Sequence, residues 1–542
     1  MANDWGYRAR SRIGGADRYG ARMRAWLIAF LSSQPGFVFD ALAVVALAGL
    51  LTAAFRRALL ADGPEGDTAS PIVALAALLA AAALFVPLVF TIASPDVFVI
   101  PKLTALRVTV VVGFVLLGLG ASRLVGVGAP RAARAGRVMD LAVIAYVGLT
   151  ALATIGSIDP GLSLVGRDEQ YQGLITTLLF VAFLYLARLS VTDLGRLSHL
   201  LIAAAAGGAI VAAYAVLQQL RLDPIWTDLY NGRVFSTLGQ AEWLGAYLVL
   251  CAGLGTALLW QFHGYRRFLV GAALGLILIA LLLTLSRGAY LAFVVAAAVF
   301  VTLLPSGARR SRRLLLAVPA LGIVAAFVVV VPPLRSEAET VISRAASTAD
   351  LGEGSIAGRL DMWRVGAAIA IDHPILGTGP ETYTLLFPQY RDSLLASRRD
   401  FWLAYAPESP HNVYLAIAAG SGLPALAAYL ALIGAIFVQL LRGLRVATDR
   451  ATRIALAAIL AGAAGHLAAD LFMTADIAGA WLVWTILGAG VGYAEEVRHS
   501  ARWSRTPEAI SPMSVAAPVA NRGPEPLQAG DPEVRRLTIP SG

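Results

Sequence analysis

The length of its apolar runs constrains this chain more than any other feature. They recur in blocks of 17–25 residues. An α-helix of that length, rising about 1.5 Å per residue, crosses a hydrocarbon layer about 30 Å thick. Composition agrees: 58% of the residues are hydrophobic and 14% charged, against about 25% charged in an ordinary soluble protein. These numbers exclude a soluble enzyme, a secreted disulfide scaffold and a disordered chain. The lone Cys251 lies inside an apolar block and excludes an internal disulfide or a cysteine metal cluster. The fold class expected is an all-α polytopic membrane protein.

Candidate spans lie near 37–55, 71–93, 103–121, 139–157, 173–188, 197–219, 237–260, 268–285, 288–304, 314–332, 411–441, 454–473 and 478–494. The run 411–441 is too long for one span and is interrupted by Gly420-Ser421-Gly422-Leu423-Pro424. Two Gly and a Pro break a helix, and unwound backbone at membrane depth survives only inside protein or beside water. A short segment at the membrane face followed by a full span is expected there. The resulting organisation is a basic N-terminus over 1–36, transmembrane helices over 37–332, a long outer loop over 333–410, further transmembrane helices over 411–494, and a tail over 495–542. The tail's prolines and mixed charges cannot bury a core, so it reads as disordered.

Orientation follows the positive-inside rule. The net charge of +9 contains 43 basic residues, of which Lys102 alone is lysine. Arg-rich loops at 122–138, 263–267, 305–313 and 442–453 are mutually consistent as cytoplasmic, and such charge implies no nucleic-acid partner. The segment 333–410 then lies outside, with seven Arg against ten Asp and Glu. Residues 1–24 carry six Arg and two Asp, which argues inside, whereas 13 spans and an inside C-terminus put them outside. A total of 12 to 14 spans is expected.

The outer segment reads as structured. Ala357–Ile371 has Leu360, Trp363, Ala367 and Ala370 on one helical face, and Asp372-His373-Pro374 ends it. Gly377-Thr378-Gly379-Pro380 is a turn, and Tyr383, Phe387, Tyr390, Phe401, Trp402 and Tyr405 follow. Two readings stand: an amphipathic helix on the membrane surface with aromatics at the interface, or a lid over an outward-facing site.

Several polar residues fall on the same side. Arg287 sits where two apolar blocks meet, either as a snorkelling side chain at a tight turn or facing a polar cavity. Arg233 precedes the span that begins near Glu242, a carboxylate that needs a partner at that depth; Arg233, Arg287 and Arg359 are candidates. His411 begins the broken segment and reads as a capping or interfacial residue or as a general base. His466 and Asp470, four residues apart in a span, form either a buried polar contact or a proton relay, which keeps a solute transporter open. No metal-ligand spacing, P-loop or dinucleotide signature is present. Arginine clusters bind phosphates through bidentate, charge-assisted bonds.

At these residues the chain resembles the O-antigen ligase/polymerase family, bacterial membrane glycosyltransferases of the ligase and Wzy-like type. The resemblance rests on Leu285-Ser286-Arg287-Gly288-Ala289, on Gly358-Arg359-Leu360-Asp361-Met362-Trp363 through Asp372-His373-Pro374-Ile375-Leu376-Gly377-Thr378-Gly379-Pro380, and on His411-Asn412-Val413-Tyr414-Leu415 through Gly420-Ser421-Gly422-Leu423-Pro424. It spans roughly 140–495. Where the family often has G-N-P-N before a span, this chain has Gly239-Gln240-Ala241-Glu242. The resemblance implies a GT-C-like architecture in the bacterial inner membrane. It also implies inverting, metal-independent and cofactor-free transfer at the periplasmic face. The donor would be an undecaprenyl-pyrophosphate-linked glycan, and the acceptor a glycan, glycolipid such as lipid A-core, or protein. His411 and Arg287 would be catalytic; Arg233, Arg359, Glu242, Asn412 and Trp363 would bind substrate. A repeat-unit polymerase shares the same donor chemistry.

Overall fold

The computed structural model describes residues 71–94, 96–126, 136–168, 170–226, 229, 232–304, 354–395, 402–403 and 406–503. The expected spans 37–55 and 314–332, the N-terminus 1–36, most of the tail, and the aromatics Phe401 and Tyr405 lie outside these residues.

The described chain is helical: α1 (Pro71–Phe85), α2 (Val99–Gly126), α3 (Arg137–Ile155), α4 (Pro160–Val165), α5 (Leu174–Ser190), α6 (Leu194–Gln219), α7 (Ala241–Gln261), α8 (Gly264–Leu283), α9 (Arg287–Leu303), α10 (Gly354–Asp372), α11 (Tyr383–Leu394), α12 (Val413–Ser421), α13 (Leu423–Val446), α14 (Arg450–Ala469) and α15 (Ala480–Trp503). Among the described residues eight helices are long and apolar enough to cross a membrane. The expected spans 173–188, 288–304 and 478–494 also form helices, α5, α9 and α15. The chain is thus an all-α, multi-pass membrane protein. Side-chain oxygens cap several helix starts, each taking one of the N–H groups that the first turn leaves unpaired. Asp193 accepts from the Arg196 N–H at 2.8 Å, and Asp449 from that of Thr452 at 2.7 Å.

Successive spans alternate in direction. At one end of the bundle Arg188 of α5 pairs with Asp140 of α3 and Glu495 of α15, each at 2.8 Å. Arg450, at the start of α14, lies over the Trp260 ring near the end of α7. This is the basic end that the loop charges anticipate. The starts of α7 and α9 and the ends of α8 and α14 therefore meet at the other end.

α7 is the central helix, packed against α6, α8, α9 and α14 and almost wholly buried. Helices in a lipid environment gain little from hydrophobicity alone, so small residues that let backbones approach are favoured. Gly253 of α7 faces Gly462 of α14, and a Cβ at Gly253 would fall 2.8 Å from the Gly462 Cα.

The expected break within 411–441 is present. α12 ends at Ser421, Gly422 adopts a φ of 87°, and α13 starts at Leu423 with Pro424 in its first turn. Its partner is the turn after α10. The Thr378 N–H donates to the Ala419 carbonyl at 3.0 Å, that of Gly379 to Gly420 at 2.8 Å, and that of Leu423 to Pro374 at 2.8 Å. A side chain at Gly377 would strike the Ala419 carbonyl, and one at Gly422 the Ile375 carbonyl, so backbone meets backbone.

α10 and α11 form a small core with Met362, Val365, Ile369, Tyr383, Phe387, Leu395 and Trp402, closed by Ala419 of α12. The Tyr383 hydroxyl donates to the Met362 carbonyl at 2.9 Å, and Trp402 Nε1 to Asp361 at 3.1 Å. This corrects the expected helical face in part: Met362, Val365 and Ile369 point inward with the expected Ala370, while Leu360 is 36% exposed. Tyr383, Phe387 and Trp402 fill this core, which they could not do as a belt along a membrane surface.

The close α7–α14 approach predicts that Gly253→Leu lowers thermal stability by about 1–3 kcal/mol through overpacking. Gly434→Ala, on α13 with no atom near its added methyl, should be neutral or stabilising by under about 1 kcal/mol. Melting curves of the two detergent-solubilised variants check both signs.

Candidate functional site

Three arginines from separate elements converge at the end of the bundle opposite the basic end. Arg233 precedes the short 3-10 turn Ser236–Leu238 that leads into α7. Its Nη1 donates to Glu242 Oε1 at 2.7 Å, and its Nε donates to the Thr284 carbonyl at 2.9 Å. Arg359 of α10 reaches the same Glu242 oxygen at 3.7 Å. Glu242 lies in the first turn of α7, where the exposed N–H groups also favour a negative charge. The carboxylate whose place in the motif departs from the family pattern is therefore the anchor of the cluster.

Arg287 is the first residue of α9. The tight turn before it is fixed locally: Leu285 adopts a φ of 48°, Thr284 Oγ1 accepts from the Ser286 N–H at 3.2 Å, and Ser286 Oγ accepts from the Ala289 N–H at 3.4 Å. Gly288 packs directly on Phe472, and a Cβ there would lie 2.8 Å from the Phe472 Cβ. This fixes the start of α9 against the end of α14. Arg359 feels both Arg233 and Arg287 as neighbouring positive charges, which with burial lower its pKa. Among the described contacts, Glu242 is shared by Arg233 and Arg359. Arg233, Glu242, Arg287 and Arg359 are all half-buried, so a ligand can reach them.

His411 stands just before α12 with a φ of 48°, its N–H donating to Ser409 Oγ at 3.1 Å. Burial and the positive charge of Arg359 lower its pKa, while Glu242 and Glu408 oppose the shift. The shift favours the neutral imidazole, the state that can take a proton. The Val413 N–H donates to the Asp470 carbonyl at 2.8 Å, which ties the start of α12 to the end of α14.

The remaining expected residues fall nearby in different roles. Asn412 is 6% exposed, and its Oδ1 accepts from the Leu415 N–H at 3.0 Å, so it caps α12. Trp363 projects from α10 onto Phe472, with ring centroids 6.1 Å apart, and roofs the turn after α14.

Behind the cluster lies a residue that no motif marks. Lys102 of α2 is fully buried, and its Nζ donates to the Thr237, Val89 and Phe98 carbonyls at 2.6, 2.8 and 3.1 Å. Thr237 lies between Arg233 and Glu242, so this amine braces the backbone that carries the cluster. The signal in the sequence was its singularity among arginines, which composition alone explains for the others but not for this one.

Residues 272–430 match the family model described as O-antigen ligase. The matched segment contains Arg287, Arg359, Trp363, His411 and Asn412 and stops short of Arg233 and Glu242. No curated protein matches the chain.

Replacing Lys102 by Met leaves three buried carbonyls without their charged donor. Hydrogen bonds to charged groups contribute about 1.5–3 kcal/mol each, so Lys102→Met should lower the melting temperature clearly. Lys102→Arg should not restore it, because the planar guanidinium cannot converge on three carbonyls as an ammonium does. Thermal unfolding of both variants in one detergent tests this.

Proposed function

We propose that this chain, whose residues 272–430 carry the O-antigen ligase domain, is a membrane glycosyltransferase. In this reading it moves a glycan from undecaprenyl pyrophosphate to an acceptor sugar, without a metal, at the periplasmic face of the inner membrane. The observation that carries the reading is the meeting of Arg233 and Arg359 at Glu242, with Arg287 and His411 within electrostatic reach of Arg359.

A pyrophosphate diester bears two negative charges, which arginine side chains suit. The guanidinium groups bind its oxygens by charge-assisted hydrogen bonds and stabilise the charge that grows as it leaves. Arg287, fixed by its turn, is assigned to the leaving oxygen; Arg233 and Arg359 hold the distal phosphate.

His411 accepts the proton of an acceptor hydroxyl as that oxygen attacks the anomeric carbon. The new carbon–oxygen bond forms on the face opposite the pyrophosphate, and the bond to the pyrophosphate oxygen breaks. The lipid pyrophosphate departs with the electron pair, and the configuration inverts. Trp363 covers the sugar from α10. Glu242 holds the arginines apart and correctly aimed rather than touching substrate.

Transfer in liposomes, assayed with lipid-linked glycan and acceptor in the presence of EDTA, tests the reading. Arg287→Ala should lower kcat by about 100- to 1,000-fold, and His411→Ala by about 100- to 10,000-fold. Full activity in both variants, or abolition by EDTA in the parent chain, refutes it. A single added glycan marks a ligase, whereas a ladder of repeat units marks a polymerase. The pH profile gives a further test. A lowered His411 pKa keeps the base neutral through pH 7, so activity should hold constant down to about pH 6.5. It should then fall on a limb at lower pH as the imidazole protonates.

A further inference from the structure

A cleft of about 660 Å³ lies at the basic end of the bundle, between the start of α6, the turn from α7 to α8 and the start of α14. It is at the opposite end of α7 from Glu242, and none of Arg233, Glu242, Arg287, Arg359 or His411 lines it. Its charged and titratable wall is wholly basic: Arg267, Arg450, His199 and His263, with no Asp or Glu. The carboxylates next to the lining residues in sequence are engaged elsewhere. Asp193 accepts from the Arg196 N–H and pairs with its guanidinium at 2.9 Å, while Asp449 caps α14.

Arg267 and Arg450 have no carboxylate partner among the described residues. Arg450 is nonetheless held in place, because its guanidinium lies 4.5 Å over the Trp260 ring. A guanidinium stacked in this way keeps the N–H donors along its edge available. The rest of the wall is apolar and includes Leu194, Ile202, Phe262 and Ile454. Beyond Arg267 the outer face of α8 continues apolar, with Phe268 75% and Leu269 57% exposed as that helix enters the membrane.

This combination restricts the ligand. Two permanent cations without a counter-charge call for an anion, and guanidinium groups favour phosphate. Water can fill hydrogen bonds but brings no charge to oppose them. The volume falls in the range of about 300–1,000 Å³ typical of small-molecule sites. A soluble anion would leave the apolar wall unused. An anionic phospholipid uses both halves: its phosphate meets the arginines, and its acyl chains continue along α8. Basic pockets between transmembrane helices hold such headgroups in the same way.

We propose that this cleft binds the headgroup phosphate of an anionic phospholipid. The site is independent of the transferase reading, since no step of that reaction uses these residues.

The test titrates the full chain in detergent with phosphatidylglycerol and with phosphatidylcholine of the same acyl chains, counting retained lipid by native mass spectrometry. One phosphatidylglycerol should be held about tenfold or more tightly than phosphatidylcholine. Arg267→Gln and Arg450→Gln should each weaken it about fivefold, the effect of one basic side chain near a membrane surface. The double variant should lose the preference. Arg266→Gln is the control: it removes the same charge one residue away, does not line the cleft, and should keep the parental preference. Arg267 is exposed, so its variant carries the test even where Arg450→Gln lowers the melting temperature by freeing Trp260. Equal retention of the two lipids overturns the proposal. So does an equal loss in Arg266→Gln and Arg267→Gln, which marks diffuse surface charge. Displacement by glycerol phosphate at the concentration of the lipid marks a site for soluble anions and overturns the lipid assignment. Each of these failures leaves the transferase reading untouched, and loss of transfer in Arg287→Ala leaves the lipid site untouched.

Discussion

The arrangement of the site depends on a contact between two stretches of bare backbone. The turn after α10 lies against the break between α12 and α13 through hydrogen bonds from Thr378, Gly379 and Leu423 to Ala419, Gly420 and Pro374. It locks together the two elements that bring chemistry from outside the main bundle. α10 carries Arg359 and Trp363, while α12 starts one residue beyond His411 and Asn412. Backbone contacts of this kind need no particular side chains, only their absence, which is why glycines stand on both faces. It also means that α10 is tied to the bundle at its end, while its first half rests on Phe472 and Glu242 through Trp363 and Arg359.

Charge explains the rest of the geometry. Three guanidinium groups in one half-buried place repel one another, and burial adds a desolvation cost to each. Glu242 relieves part of that repulsion, bonding one arginine at 2.7 Å and reaching a second at 3.7 Å. A neutral amide there would leave the cluster more positive and less ordered. All three arginines stay half-exposed. Burial and the charge of Arg359 discourage protonation of His411, while Glu242 opposes them.

The sequence was informative where local rules decide the outcome. The Gly-Ser-Gly-Leu-Pro break, the end of α10 before Pro374 and the turn at Ser286 each follow from residues within a few positions. The pairing of Glu242 with Arg233 and Arg359 was also legible, because a carboxylate at a span's first turn demands a cation. What was not legible depends on partners far along the chain. The inward face of α10 is set by Trp402 and Phe387, so a periodicity reading chose Leu360 over Met362. The glycines of the 377–379 turn and the 420–422 break read as separate turn signals, although each explains the other. The cap that Asn412 Oδ1 gives α12 through the Leu415 N–H is local, as asparagine at a helix start favours. The basic cleft brings His199, Arg267 and Arg450 together from three distant segments, and no spacing rule links them.

Lys102 has a consequence outside catalysis. It is the single lysine among 542 residues, and the folded chain encloses it completely. Side-chain amine chemistry therefore has no target on the folded surface. Reagents that acylate lysine should leave Lys102 untouched in the native protein and react there once the brace between α2 and the Ser236–Leu238 turn opens. The residue that steadies the approach to the arginine cluster is thus also a built-in reporter of whether that region is intact.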